Sequence, residues 1–287
     1  MNKATQPFHN RIALVFDFDE TLAPDTFTAL LERCDIDPEN FHKTRVKPLL
    51  EMGWDKKLAR FHCLIEDSQQ NDALKITLDT FKEVGQNLEL YPDAEKMFGR
   101  VRDWAREILP DIEVEFYLLT AGMLEIPRAT TIAEEFRVLW GGELHFDDKN
   151  ELAFVKRTVS YPDKIRYILK LCKGMDIDDP KITDDVYRFV PEEQWHLPLS
   201  QLIYVGDGDS DMPAFAYLKD HEGLAIGVFQ GQSAEDWEGY EDMHDDRRVQ
   251  NLAESDYREG SELMQSLKLA VESVAKQIAL RRLSQNE

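Results

Sequence analysis

Two acids, Asp17 and Asp19, stand two residues apart directly after the apolar run at positions 12–16. In an extended chain that spacing turns both carboxyls to the same side. Like charges held so close repel and raise each other's pKa unless a cation lies between them. The pair therefore asks for a divalent metal, and magnesium is the expected ion because it prefers oxygen ligands and keeps several waters. An acid so placed can also attack phosphorus. Asp17 is the candidate nucleophile, forming an aspartyl-phosphate. Asp19 is the candidate proton donor to the leaving alkoxide, and then the acceptor of a proton from the attacking water.

Phosphoryl transfer further needs groups that hold and neutralise the phosphoryl oxygens. Thr120, with the backbone N–H of Ala121 or Gly122, is the candidate where a strand is expected to turn into a helix. The cation is expected at Lys164, at a helix start, with Lys156 as the runner-up. The loop Gly206-Asp207-Gly208-Asp209-Ser210-Asp211 supplies more acids. Asp17, the backbone carbonyl of Asp19 and the carboxylate of Asp207 are expected around the metal. Asp211 could bind the metal or orient Lys164, and Asp209 is expected to face solvent. Gly206 and Gly208 permit the tight backbone such a loop needs.

These groups have to be carried by a sheet. Residues 12–16 are apolar on both faces, as in a buried parallel strand. Strands are also expected at 114–119, 138–140, 202–205 and 224–229, with a hairpin around Asp147–Asn150. Helical spacing marks 94–106, 124–136 and 164–171. In an open parallel sheet the carboxyl ends of such strands meet at one cleft. Residues 23–90 read as helices throughout, an insert set over that cleft as a cap. Lys43, Arg45, Lys47, Lys56, Lys57 and Arg60 lie in this segment, either facing an anionic substrate or on a solvated helix face. Trp54 is expected to pack in a core. Residues 173–198 form an irregular insertion with no assigned role, and the acidic stretch 235–259 is expected to be exposed. Leu263, Leu267, Val271, Val274 and Ile278 form one helical stripe, for docking or for an oligomer contact.

The four motifs, DFDET at 17–21, LLTAG ending at Gly122, Lys164 and GDGDSD at 206–211, resemble those of the haloacid dehalogenase superfamily of phosphohydrolases. The helical insert after the first motif, the hairpin before Lys164 and the Gly-Asp-Gly-x-x-Asp loop resemble its phosphoserine phosphatase-like branch. The resemblance implies an α/β fold with a doubly wound, Rossmann-like core at 1–22 and 91–287 and a helical cap at 23–90. It also implies magnesium-dependent hydrolysis through an aspartyl-phosphate. An acid two residues after the nucleophile, here Asp19, is a feature of the family's phosphatases rather than its dehalogenases. Phosphoserine phosphatases typically carry a glutamate nine residues after the nucleophile, where this chain has Thr26 beside Asp25. The second motif is also Thr-Ala-Gly rather than Ser-Gly-Gly. Both departures point away from phosphoserine and leave specificity to the cap.

Composition bounds the partners. With 56 acidic and 34 basic residues the 287-residue chain carries a formal charge of −22. That field disfavours nucleic acid and anionic membranes. A small phosphorylated metabolite remains compatible, because a metal or lysine reverses the sign inside a cleft. Cys34, Cys63 and Cys172 form no pairing motif, which suits reduced thiols and a cytoplasmic setting. No apolar run is long enough for a membrane span, and the first residues lack a secretory signal. Two rival functions are a phosphotransferase of the same fold and a non-catalytic binding or regulatory protein that has kept it.

Overall fold

The computed structural model describes residues 9–71, 74–179, 184–208, 210–230 and 249–285. Its seven strands are β1 (Arg11–Phe16), β2 (Glu113–Met123), β3 (Val138–Phe146), β4 (Leu152–Arg157), β5 (Leu202–Gly206), β6 (Leu224–Phe229) and β7 (Asn251–Glu254). They form one sheet in the order β4-β3-β2-β1-β5-β6-β7. All neighbours are parallel except β3 and β4, the hairpin. The order runs outward from β1 in both directions, so the crevice between β1 and β5 is the switch point where such sheets bind ligands.

β1 sits centrally because both its faces are apolar and both are covered. Ile12, Leu14 and Phe16 face a cluster with α6 (Ala94–Ile108) and the C-terminal helix (Glu262–Gln285). Ala13 and Val15 face the other layer, built from α7 (Asp163–Lys173) and α8 (Met212–Asp220). The stripe from Leu263 to Ile278 is buried in the first cluster, so it docks on the chain's own core. Between β1 and β2 the chain is helical: α1 (Thr26–Arg33), α2 (Pro38–Phe41), α3 (Lys47–Glu51), α4 (Lys56–Gln70) and α5 (Leu78–Asn87), with a π turn at His42–Val46. These helices bury a third cluster, including Phe27, Leu64 and Phe81, against Met123, Ile126 and Leu144. Among the described residues, no helix is long and apolar enough to cross a membrane. The three cysteines are free.

Several expectations are corrected. Residues 124–136 hold two short 3-10 turns, Pro127–Ala129 and Ala133–Glu135, not a helix. Pro127 lacks an N–H, and the β-branched run Thr130-Thr131-Ile132 is a poor helix former. Thr130 Oγ1 also donates to Pro127 O at 2.7 Å, a local alternative to helical bonding. β3 continues past Trp140 to Phe146, its apolar pattern masked by Gly141 and Gly142. A Cβ on Gly142 would lie 2.6 Å from Met123 Sδ, so the two strands approach closely there. Part of the acidic stretch forms β7, whose Ala253 is buried, and Tyr257 beyond it is buried too. Residues 235–248 of that stretch, and Asp209, lie outside the described residues. Trp54 is exposed, its ring against His62 rather than in a core.

Candidate active site

The peptide after β1 keeps the sheet's pairing for one further residue, since the Asp17 N–H donates to Val205 O at 2.9 Å. Phe18 then points into the core, which leaves Asp17 and Asp19 on the opposite side. The chain closes a tight turn on Phe18 O, which accepts the Leu22 N–H at 2.9 Å. Glu20 takes a left-handed φ of 56° in this turn. Its carboxylate holds the turn in place, accepting the Tyr91 O–H at 2.8 Å and the Asp25 N–H at 3.0 Å. Asp19 Oδ1 accepts the Thr26 N–H at 2.8 Å, which ties it to the first residue of α1.

Lys164 enters from the second position of α7 and is wholly buried. Its ammonium lies 3.0 Å from Asp17 Oδ2 and 2.5 Å from Asp211 Oδ1. It also donates to Ser210 Oγ at 2.7 Å, and that hydroxyl donates to Asp17 Oδ2 at 3.3 Å. Asp211 Oδ1 accepts the Tyr204 O–H at 2.6 Å as well. Gly206 makes this possible, because a Cβ there would sit 2.2 Å from Asp211 Oδ2. In this arrangement Asp211 orients Lys164. Lys156 is exposed on β4 and pairs with Glu143 at 3.0 Å, away from the site.

Charge in the cluster is unbalanced. Burial would lower the Lys164 ammonium, but Asp17 and Asp211 outweigh it and hold the pKa above the ordinary lysine value. Burial pushes the Asp17 carboxyl up; the Lys164 charge opposes this and Asp211 adds to it. Burial, then the Asp25 charge, pushes Asp19 up to about 7, against the stabilising Thr26 N–H. Asp17, Asp207 and Asp211 offer carboxylate oxygens all within 4.8 Å of one another. Three acids against one ammonium leave net negative charge among hard oxygen donors, a set that fits magnesium.

Thr120, Ala121 and Gly122 line the same cavity as Asp17, Asp19 and Asp207, a space of about 140 Å³. They belong to β2, which runs on to Met123, so no helix N-terminus begins there as expected. The Gly122 N–H is taken by Thr120 Oγ1 at 2.9 Å. Gly122 is required for a different reason: a Cβ there would lie 2.6 Å from Asp19 Oδ2. The helical segment supplies the opposite wall, with Phe27, Leu30, Phe61 and Phe81 apolar and Asp25, Lys57 and Arg60 charged. Of the six basic residues singled out in that segment, only Lys57 and Arg60 reach the cavity. Arg45 pairs with Glu66 and Asp67, and Lys43, Lys47 and Lys56 are exposed.

Ser210 and Tyr204 join the cluster without having been singled out by sequence. Ser210 was hidden among more conspicuous acids. Tyr204 carries the one hydroxyl in β5, Leu-Ile-Tyr-Val-Gly, and a buried hydroxyl needs a partner.

No protein-family model matches the chain. An uncharacterised protein of Borreliella burgdorferi is 22% identical over 168 residues, 53% of this chain and 55% of that protein. The chain thus spans about half the length of the curated relative it matches. Among solved structures, a probable phosphoserine phosphatase from Vibrio cholerae gives a TM-score of 0.58 at 12% identity, covering 95% of this chain and 68% of that one. A phosphoserine phosphatase with a phospho-aspartyl intermediate analogue gives 0.55 at 12% identity, covering 90% and 98%. A haloacid dehalogenase-family hydrolase from Salmonella enterica serovar Typhi gives 0.55 at 12% identity, covering 86% and 68%. Identities this low speak to fold, and the fold of this chain is that of the haloacid dehalogenase-family hydrolases.

Proposed function

We propose that this protein is a magnesium-dependent phosphatase that hydrolyses a small phosphomonoester through an aspartyl-phosphate on Asp17. The observation that carries the reading is the buried Lys164 ammonium 3.0 Å from Asp17 Oδ2, at the switch point of the sheet. That contact orients the carboxylate, whose Oδ1 accepts the Phe18 N–H at 2.8 Å, and Asp17 lines the cavity.

In the first half-reaction a carboxylate oxygen of Asp17 bonds to phosphorus as the ester P–O bond breaks. The leaving alkoxide takes the proton from Asp19, whose pKa near 7 lets it carry one at neutral pH. In the second, Asp19 removes a proton from water, the water oxygen bonds to phosphorus, and phosphate departs from Asp17. Thr120 and the 120–122 backbone lie along the cavity where phosphoryl oxygens would sit. Asp17, Asp207 and Asp211, with the backbone carbonyl of Asp19, would hold magnesium through their oxygens. When bound, the ion neutralises phosphoryl charge and lets the acids stand together.

Residues 23–90 serve as the cap, because they contribute eight of the eighteen residues lining the cavity. The substrate is a small phosphorylated metabolite other than phosphoserine. Thr26 holds no carboxylate for an amine, and the Asp25 oxygens already meet the Phe27 N–H, the Thr28 O–H and Arg60. The free thiols support a cytoplasmic setting. A phosphotransferase would use the same apolar wall of Phe27, Leu30 and Phe61 to seat its acceptor alcohol.

The test is phosphate release from an aryl phosphate with magnesium supplied, repeated with added alcohols. Release that requires magnesium and is unaffected by alcohols is the expected result. Diversion of the phosphoryl group to the alcohol would make the protein a phosphotransferase. No turnover of any ester in a panel of phosphorylated metabolites would leave a binding protein.

A further inference from the structure

We propose that Lys57, projecting from the helical segment, binds the transferring phosphoryl group of the substrate on the side away from Lys164. The proposal rests on the phosphatase reading above and names a residue of that site contributed from outside the sheet.

Lys57 is placed by a fixed helix start. The Asp55 carboxylate accepts the Lys57 and Leu58 N–H groups, each at 3.0 Å, and so caps α4. From there the side chain crosses to the core. Its ammonium donates to Val159 O at 3.2 Å and lies 4.9 Å from the centre of the Tyr161 ring. Lys57 lines the cavity that holds Asp17, Asp19 and Thr120. It also lines a second space of about 460 Å³, formed with Leu58, Ser160 and Pro162. It therefore borders both the cavity of the reacting acids and the neighbouring surface space.

The neighbouring cations are matched by acids, and Lys57 is not. Arg60, one turn further along, pairs with Asp25 at 3.4 Å and lies over the Phe27 ring. Lys164 is held between Asp17 and Asp211. Among the described residues no carboxylate comes within ion-pair distance of Lys57, in a chain with 56 acids to 34 bases. One neutral carbonyl takes one of its three N–H donors. Burial, then the Lys164 charge, pushes its pKa down to about 8, while Asp17, Asp55 and Asp19 pull it up. Its ammonium thus feels the catalytic acids and their lysine, yet touches none of them. A phosphoryl group between Asp17 and the helical segment would supply the missing anion, through charge-assisted hydrogen bonds. Substrate would thereby draw the helical segment and the sheet together, since each offers one cation to the same dianion.

Inhibition by inorganic phosphate, with magnesium present and an aryl phosphate bearing no second acid as reporter, tests this in wild type, Lys57→Gln and Lys57→Arg. Expected for Lys57→Gln is phosphate inhibition weakened by about ten- to a hundredfold, a matching rise in KM and a smaller fall in kcat. Lys57→Arg should recover most of the loss. Thermal denaturation of all three variants separates binding from scaffolding. Unchanged phosphate inhibition in a folded Lys57→Gln protein overturns the proposal. So does a lowered Tm with unchanged inhibition, which would make Lys57 only a tether to Val159. An effect confined to esters whose leaving group carries a carboxylate also overturns it, because Lys57 would then read the leaving group. Should wild type neither hydrolyse the ester nor bind phosphate, the phosphatase reading itself has failed, and this proposal with it.

Discussion

The ammonium of Lys164 stands 3.0 Å from Asp17 Oδ2 and 2.5 Å from Asp211 Oδ1, joining the tip of β1, the loop after β5 and the start of α7. None of the three side chains is more than 5% exposed. One buried cation between two buried acids is costly to assemble and costlier to break, because removing the cation strands both charges.

Lys164→Met is therefore expected to lose about 3–5 kcal/mol of stability. Adding Asp211→Asn should recover part of that loss, since one stranded charge is removed. Urea denaturation of the two variants checks it. A Lys164→Met protein as stable as wild type would show that the acids are neutral without their lysine.

The clearance between Gly122 and Asp19 makes a second prediction. A Cβ at Gly122 would lie 2.6 Å from Asp19 Oδ2, so Gly122→Ala must push the carboxyl aside. The expected result is a fall in kcat of about a hundredfold, the scale of loss from misplacing a reacting group by an ångström. The fold should be retained, because the clash is with a side chain beside a cavity. Steady-state kinetics and circular dichroism check this, and wild-type kcat in Gly122→Ala would remove Asp19 from proton transfer.

At the opposite end of the strands from the site, near the start of β2, Glu115 fastens the 173–198 segment. It accepts from His196 Nε2 at 2.7 Å, Tyr117 O–H at 2.8 Å and Arg137 at 2.7 Å. Burial would raise its pKa, but the His196 and Tyr117 hydrogen bonds and the His196 and Arg137 charges outweigh it and hold Glu115 down at about 2. A depressed carboxyl stabilises the fold above its unfolded pKa, here 4.5, and that contribution fades as pH falls towards about 2. Glu115→Gln should thus be less stable than wild type by about 1–3 kcal/mol at neutral pH, with the gap closing below pH ~4.5. Denaturation midpoints from pH 7 downwards check it. A gap independent of pH would mean the ionised form is not what the network holds.

Much of this was legible in the sequence where one residue type answers to one physical demand. The unbroken apolar run at 12–16 implied a strand covered on both faces, and β1 is that strand. The acids after β1 and β5 implied a shared cleft, and Asp17, Asp207 and Asp211 lie together. Periodicity failed where short-range chemistry competes with it. Residues 124–136 have helical spacing, but Pro127 and Thr130 close local turns instead. β7 was invisible because Asn251–Glu254 is only four residues long with an apolar pair between two polar ends, and its pairing with β6 is a long-range event. Ser210 and Tyr204 escaped notice because their roles depend on which strand tips meet, which no local pattern states.

The central claim is that Asp17 bonds covalently to phosphorus, and acid quenching tests it most directly. Brief incubation with an aryl phosphate and magnesium, a quench in acid and peptide mass spectrometry should find a phosphoryl adduct on the peptide bearing Asp17. The adduct should be absent from Asp17→Asn. Turnover without any trapped adduct, an adduct on another peptide, or an Asp17→Asn protein with wild-type turnover would contradict the account.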